Sequence, residues 1–323
     1  MRSPRLRPFL PWIISLAALI YVFGFATDWR ALAAATRTAD LPVFLAVTIV
    51  DKLIFFLAWG LLQAECMRRF AGPVRRREVI ALRGGSELVR AANASLGDAA
   101  FLLGVSRLVP GRLATVVAAG TVPLLCHVLV LVGQASLALP FLDGGYAANR
   151  DVVIGVAAGW TVVVGAALMV RVGPRLGSVV GMRMAAWLER MDLRAFWPIV
   201  ASFAGLGLVD ITVQKWTTAS FGLAIPWSAL VARIPILYAV MTVPSLGNFG
   251  TRELAWAHFF GEFGDRDRLV AYAFATNASF LVMNVVIGVC FLPRALELVA
   301  EVRRAREAGA PVDGPLLVDR SDP

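Results

Sequence analysis

Residues 242–260, TVPSLGNFGTRELAWAHFF, gather the ingredients of an anion site inside an apolar stretch. Pro244 removes a backbone donor, and Gly247 and Gly250 permit a sharp reversal, so a helix arriving from upstream has to stop there. A new helix beginning near Thr251 puts its positive end beside Arg252, whose planar fork matches a phosphate. Glu253, in the first turn, suits the helix dipole and keeps Arg252 from being trapped by its ligand. Ser245 and Asn248 can satisfy freed backbone groups or bind the same ligand. The plainer reading is an outer loop with a helix cap and a local Arg–Glu pair.

A second break of similar type lies earlier, in NASLGDAA at 93–100. Asn93, Ser95, Gly97 and Asp98 play the analogous part there, with Glu87 and Arg90 on the limb before them. Asp98 is acidic where the later motif has neutral Asn248. It therefore offers a site for a cationic headgroup or a coupling proton.

Other charges fall inside apolar runs, where each costs about 2.5–3.5 kcal/mol on an insertion scale unless paired, wet or useful. Asp51 and Lys52 lie mid-way along one such run, and Asp210 and Gln214 share a face one turn apart in another. Sequence neighbours on a helix do not face each other, so Lys52 needs a distant partner, for which Asp210 is the candidate. Such a pair either gates an alternating-access cycle or relays a proton, or it is a static ion pair that holds the bundle. Lys215 lies nearer the end of its run and snorkels toward the headgroups. Arg233 faces either a cavity or the outer interface.

These residues need a membrane scaffold. The chain has 323 residues, 59% hydrophobic and 16% charged, against about 25% charged in a soluble domain. The net charge of +9 resides in arginines at the ends of apolar runs, among them Arg68, Arg69, Arg75, Arg76 and Arg77. That is the positive-inside pattern and excludes a nucleic-acid patch. Cys66, Cys126 and Cys290 show no metal spacing, and His127 and His258 are the only histidines. Metal, disulfide framework and nucleotide cofactor are all excluded as expectations.

Six segments match the roughly 20 apolar residues of a spanning helix: about 9–26, 42–63, 113–140, 152–170, 198–222 and 269–292. The first of these imitates a secretory signal but is longer than an ordinary one, so it reads as a retained helix. Two interrupted stretches, 79–106 and 228–260, read as re-entrant helical hairpins, the alternative being amphipathic or kinked helices. Orienting the arginines inward puts both termini in the cytoplasm, with 293–323 a polar cytoplasmic tail. The halves 9–140 and 152–292 then carry the same element order in opposite orientation. The expected fold is one all-α transmembrane domain, an inverted-topology repeat with its substrate near the midplane. The paired echoes SLGDAA and SLGNFG, and VDK and VDITVQK, fall at matching places; Lys52 and Lys215 are the only lysines.

The motif VPSLGNFGTRELAWAHFF resembles the Pro-, Gly- and Arg-Glu-containing signature of the lysylphosphatidylglycerol synthase transmembrane region, the flippase-like domain family. NASLGDAAFLLGVSRLVPG is similar to that family's other polar break, and length and hydropathy agree over about residues 9–295. The chain departs from the family pattern at Gly247-Asn248, usually Gly-Gly, and at Leu96, usually Pro. The family's large members add a soluble synthase domain. Roughly 30 polar residues follow the last span here, too few for such a domain. The resemblance thus implies the translocating half of the function, working with membrane lipids and with any lipid-modifying enzyme encoded separately.

The function expected is a flippase-like transporter, not an enzyme, in a bacterial inner membrane, moving a phosphate-bearing or otherwise polar lipid. The alternatives are a secondary transporter of a small polar solute, or a membrane enzyme or subunit with Asp98 and Glu253 as acid and base. The sites Asn93-Ala-Ser95 and Asn277-Ala-Ser279 match a glycosylation acceptor but lie in apolar segments and are discounted.

Overall fold

The structure is a computed structural model that describes residues 34, 36–109, 113–143, 149–172, 193–241 and 249–307. Among the described residues all regular structure is helical: α1 Leu41–Phe70, α2 Arg76–Ala92, α3 Ala94–Leu108, α4 Leu113–Ala138, α5 Arg150–Val172, α6 Leu193–Ser220, α7 Trp227–Val240, α8 Thr251–Phe259 and α9 Arg266–Glu307. The expected first span, 9–26, lies outside them.

Among the described residues, four stretches are long and apolar enough to cross a bilayer: Leu41–Phe70, Leu113–Phe141, Phe196–Ser220 and Arg266–Glu301. They also bury little against the protein. Only 22% of the apolar window of α1 is buried, and Leu45, Val50, Leu57 and Leu61 stand exposed along it. A contiguous apolar surface of that length is incompatible with water and natural in lipid. The chain is a multi-pass, all-α membrane protein. The expected span 152–170 is a continuous helix, α5, of 23 residues.

The local reasons for these helices are visible in their ends. Asp40 caps α1 by accepting a hydrogen bond from the Val43 amide at 3.2 Å, with Pro42 in the first turn where no donor is lost. Arg68 and Arg69 close its last turn, favoured by the helix dipole. The expected hairpin at 79–106 is two helices, α2 and α3, separated by a single extended residue, Asn93. The Asn93 side chain caps α3 through the Leu96 amide at 3.0 Å. The second expected hairpin comprises α7 and α8, with 242–248 between them outside the described residues.

The described helices gather into two compact units. They do not coincide with the sequence halves, because α4, α6 and α7 each contribute to both. The first holds α1–α3, α4 as far as Thr121, Val213–Ile225 and everything described from Leu237 on. Its spine is α9, against which α2 packs most extensively, with α8, α1 and α3 also in contact. Glycines set the α2–α9 approach: a Cβ on Gly84 would collide with the Phe291 ring and one on Gly288 with Leu88. Phe44, Phe221, Tyr272, Trp256 and Phe260 form a chain of ring contacts with centroids 4.5–5.6 Å apart, tying α1, the end of α6, α8 and α9 together.

The second unit spans Val122–Thr212 with Pro226–Ile236. Gly155 lies under Ile236 and Gly159 under Val132, so this small-residue step packs one helix on its neighbours within the chain. His127 stacks on Phe203, and Gln134 donates to the Val231 carbonyl at 3.0 Å. Both histidine and glutamine serve packing here.

Candidate functional site

The site is built from α8 upward. Gly250 has φ +82° and stands just before the first residue of α8, a left-handed conformation that L side chains resist. Its amide donates to Glu253 Oε2 at 2.7 Å, and Asn277 Nδ2 on α9 donates to Glu253 Oε1 at 3.0 Å. Glu253 is wholly buried with both oxygens engaged. It is therefore an anchor that fixes the start of α8, and its carboxylate does not bridge to the neighbouring arginine.

Arg252 is left without such a partner. It is 5% exposed, and its Nε has no hydrogen-bond acceptor. It lies over the Phe280 ring, 5.3 Å from Cζ to the centroid, and interacts electrostatically with Glu253 beside it. A desolvated cation–π contact stabilises by about 2 kcal/mol, whereas burying an ion costs several kcal/mol even after relaxation. The ring alone does not offset the burial, and Nε is left for a further acceptor.

Phe280 receives a second cation. Lys52 Nζ of α1 lies 5.8 Å from its centroid. The ammonium also pairs with Glu87 Oε2 on α2 at 3.3 Å. This corrects the expectation that Asp210 serves Lys52: the partner comes from the next helix in the chain, because α2 packs beside α1 in the same unit. Asp51 and Asp210 are both buried, at 4% and 6% exposure, on α1 and α6.

Glu87 leads to the first break. Its Oε1 faces Arg83 Nε at 3.2 Å and Arg90 Nε at 3.7 Å. The same two guanidiniums reach Asp98 Oδ1 on α3 with their Nη1 atoms, at 2.7 Å and 3.1 Å. Three cations, Lys52, Arg83 and Arg90, thus surround two carboxylates. Asp98, expected to serve a cationic headgroup or a coupling proton, is engaged here by two guanidiniums, in surroundings that carry excess positive charge. Close approach makes the cluster possible: a Cβ on Gly97 would come within 2.5–2.9 Å of Arg90, backbone included.

The remaining predicted residues divide cleanly. Asn93 is a helix cap. Gln214 accepts from the Tyr272 hydroxyl and faces Tyr238, with Thr217 bonded to the same Tyr272 hydroxyl at 2.9 Å. It is a strut under the aromatic chain. Lys215 donates to the Ile225 carbonyl in the connection after α6, so it does reach toward the helix end. Arg233 is held by Asn149 Oδ1 at 2.9 Å within the second unit. Ser245 and Asn248 lie outside the described residues.

Sequence reasoning passed over Arg83, Phe280, Asn277 and Asn284. Arg83, Glu87 and Arg90 recur at i, i+4 and i+7, the spacing of one helix face, and that signal was available. Asn277, Phe280 and Asn284 repeat the same period on α9. The Asn284 Oδ1 atom is buried without a hydrogen-bond partner, a further polar group on the face that holds Phe280.

The chain matches no family model and no curated protein.

Proposed function

We propose that the chain is a flippase-like lipid transporter that moves an anionic, phosphate-bearing lipid across a bacterial cytoplasmic membrane. One observation carries the reading: Arg252 is a buried guanidinium whose Nε has no acceptor and whose neighbouring carboxylate, Glu253, spends both oxygens on other donors, at the start of a helix, sharing Phe280 with Lys52. A phosphate there would meet the helix dipole, the guanidinium fork and a nearby ammonium together. A lipid is favoured over a soluble solute because the unit holding this site is walled by helices with exposed apolar faces, where acyl chains can remain in the bilayer while the headgroup is held.

Finer architecture belongs to the same proposal: six spans, two re-entrant hairpins and an inverted repeat, with both termini cytoplasmic. Its support is the order of lengths, since α1–α4 run 30, 17, 15 and 26 residues and α6–α9 run 28, 14, 9 and 42. Long, short, short, long occurs twice. The enzyme alternative draws no support from its named pair, because both Glu253 oxygens and one Asp98 oxygen are already hydrogen-bonded.

The test is transbilayer movement of a fluorescent phosphatidylglycerol in proteoliposomes, read by dithionite quenching. Wild type should move it, and Arg252→Ala, still monodisperse in detergent, should lose about two orders of magnitude in rate or more, as expected when a buried charge-assisted contact is removed. Normal movement by the folded variant takes Arg252 out of the mechanism. Lipid mass spectrometry on gently purified protein adds the headgroup: one anionic lipid should be enriched in wild type and absent from the variant.

A further inference from the structure

Two guanidiniums holding one oxygen is the arrangement a phosphate would find, and the first break has it. Arg83 and Arg90 each use Nε toward Glu87 Oε1 and Nη1 toward Asp98 Oδ1. The two carboxylates differ in one respect. The Glu87 side chain is 2% exposed and that of Asp98 is 49% exposed. Glu87 is therefore the permanent counterion, locked between three cations. Asp98 is the less enclosed of the two, which leaves its contacts with both arginines the easier to exchange.

We infer that Arg83 and Arg90 form a second anion station, occupied in this structure by the chain's own Asp98, which a phosphate-bearing ligand displaces. With Asp98 withdrawn, Lys52, Arg83 and Arg90 face Glu87 alone, and the local excess rises from one positive charge to two. A phosphate replaces the single bridging oxygen and brings further acceptor oxygens for the two guanidiniums.

Lys52 connects this station to Arg252. Its ammonium bonds Glu87 on one side and shares the Phe280 ring with Arg252 on the other. Arg252, Lys52 and the Arg83–Arg90 pair so make a run of cations within one compact unit, from the start of α8 through α1 to α2. For its role the inference rests on the anion-handling reading of Arg252, and for its place on α2 and α3 alone. An anionic headgroup would pass between two grips, and Asp98 would hold the second grip closed while no ligand is there.

The experiment is titration of the full-length protein in nanodiscs with short-chain phosphatidylglycerol below its micelle concentration, followed by tryptophan fluorescence, and in parallel with inorganic phosphate. Asp98→Asn should tighten lipid binding about tenfold, the size of one charge-assisted contact no longer competed for. Adding Arg83→Gln to that variant should abolish the gain, and adding Arg252→Gln should leave it intact. Where Asp98→Asn does not yield folded protein, Asp98→Ser carries the same expectation. Unchanged or weaker binding in the folded Asp98 variant overturns the station. A gain that vanishes with Arg252→Gln overturns its independence. The same pattern with inorganic phosphate alone upholds the station while overturning the lipid reading of Arg252, so the two can fail separately.

Discussion

The breaks before α3 and before α8 carry similar sequence and opposite electrostatics. At the first, every cation has a carboxylate: Lys52, Arg83 and Arg90 are distributed over Glu87 and Asp98. At the second, the acid adjacent to the arginine is consumed by a backbone amide and an asparagine, and Arg252 is left with an aromatic ring. The difference comes from where the acid sits on its helix. Glu253 is at the third position of α8 and folds back onto the Gly250 amide, a use that the start of a helix creates. Glu87 and Asp98 lie deeper in their helices, where the amides are already bonded along the helix, and side-chain cations are what remain to pair with. Similar motifs thus yield one cluster of paired charges and one buried guanidinium without a hydrogen-bonded acid.

The sharpest way to break this comparison is to neutralise the two buried acids in turn. Glu87→Gln strands Lys52 and leaves Arg83 and Arg90 to Asp98 alone, and should destabilise the protein by about 3 kcal/mol or more. Glu253→Gln loses hydrogen-bond quality to neutral groups and should cost about 1 kcal/mol. Denaturant unfolding in detergent, followed by circular dichroism, ranks the two; equal costs would mean that Glu253 balances Arg252 after all. Next in size is Gly97→Ala, whose methyl meets the Arg90 backbone and should cost about 1–3 kcal/mol through overpacking. If the Asp98 contacts depend on that approach, this variant also binds anionic lipid like an Asp98 variant, and unaltered stability would show that α3 can slide without penalty. The smallest effect is expected from Asn93→Ala, a lost cap on α3 worth about 1 kcal/mol by the same unfolding assay. Exchange of the Leu96 amide with deuterium should rise in step, and an unchanged rate would remove Asn93 from the cap.

Much of the scaffold was legible in advance. Apolar runs at 42–63, 113–140, 198–222 and 269–292 appear as spans because burial in lipid depends on local composition and length alone. The break at Asn93 was legible for a similar reason, since Asn favours capping over helix interiors. The partners of the charges were not. Lys52 pairs with Glu87 and not with Asp210, and Arg233 with Asn149, 84 residues away. Symmetry between the halves suggested one pairing, while the compact units cut across those halves and delivered another.

By itself the sequence determined that this chain is helical, resides in a membrane and places charge at two interruptions of its apolar runs. These follow from composition and from period, which each segment carries on its own. Only the tertiary structure decided which charge is satisfied. A helix face is known from the sequence, but the face it meets depends on how closely backbones approach, and here glycines at 84, 97 and 288 set that distance. Asn277 and Gly250 claim the acid beside Arg252, and Arg252 has no hydrogen bond to it.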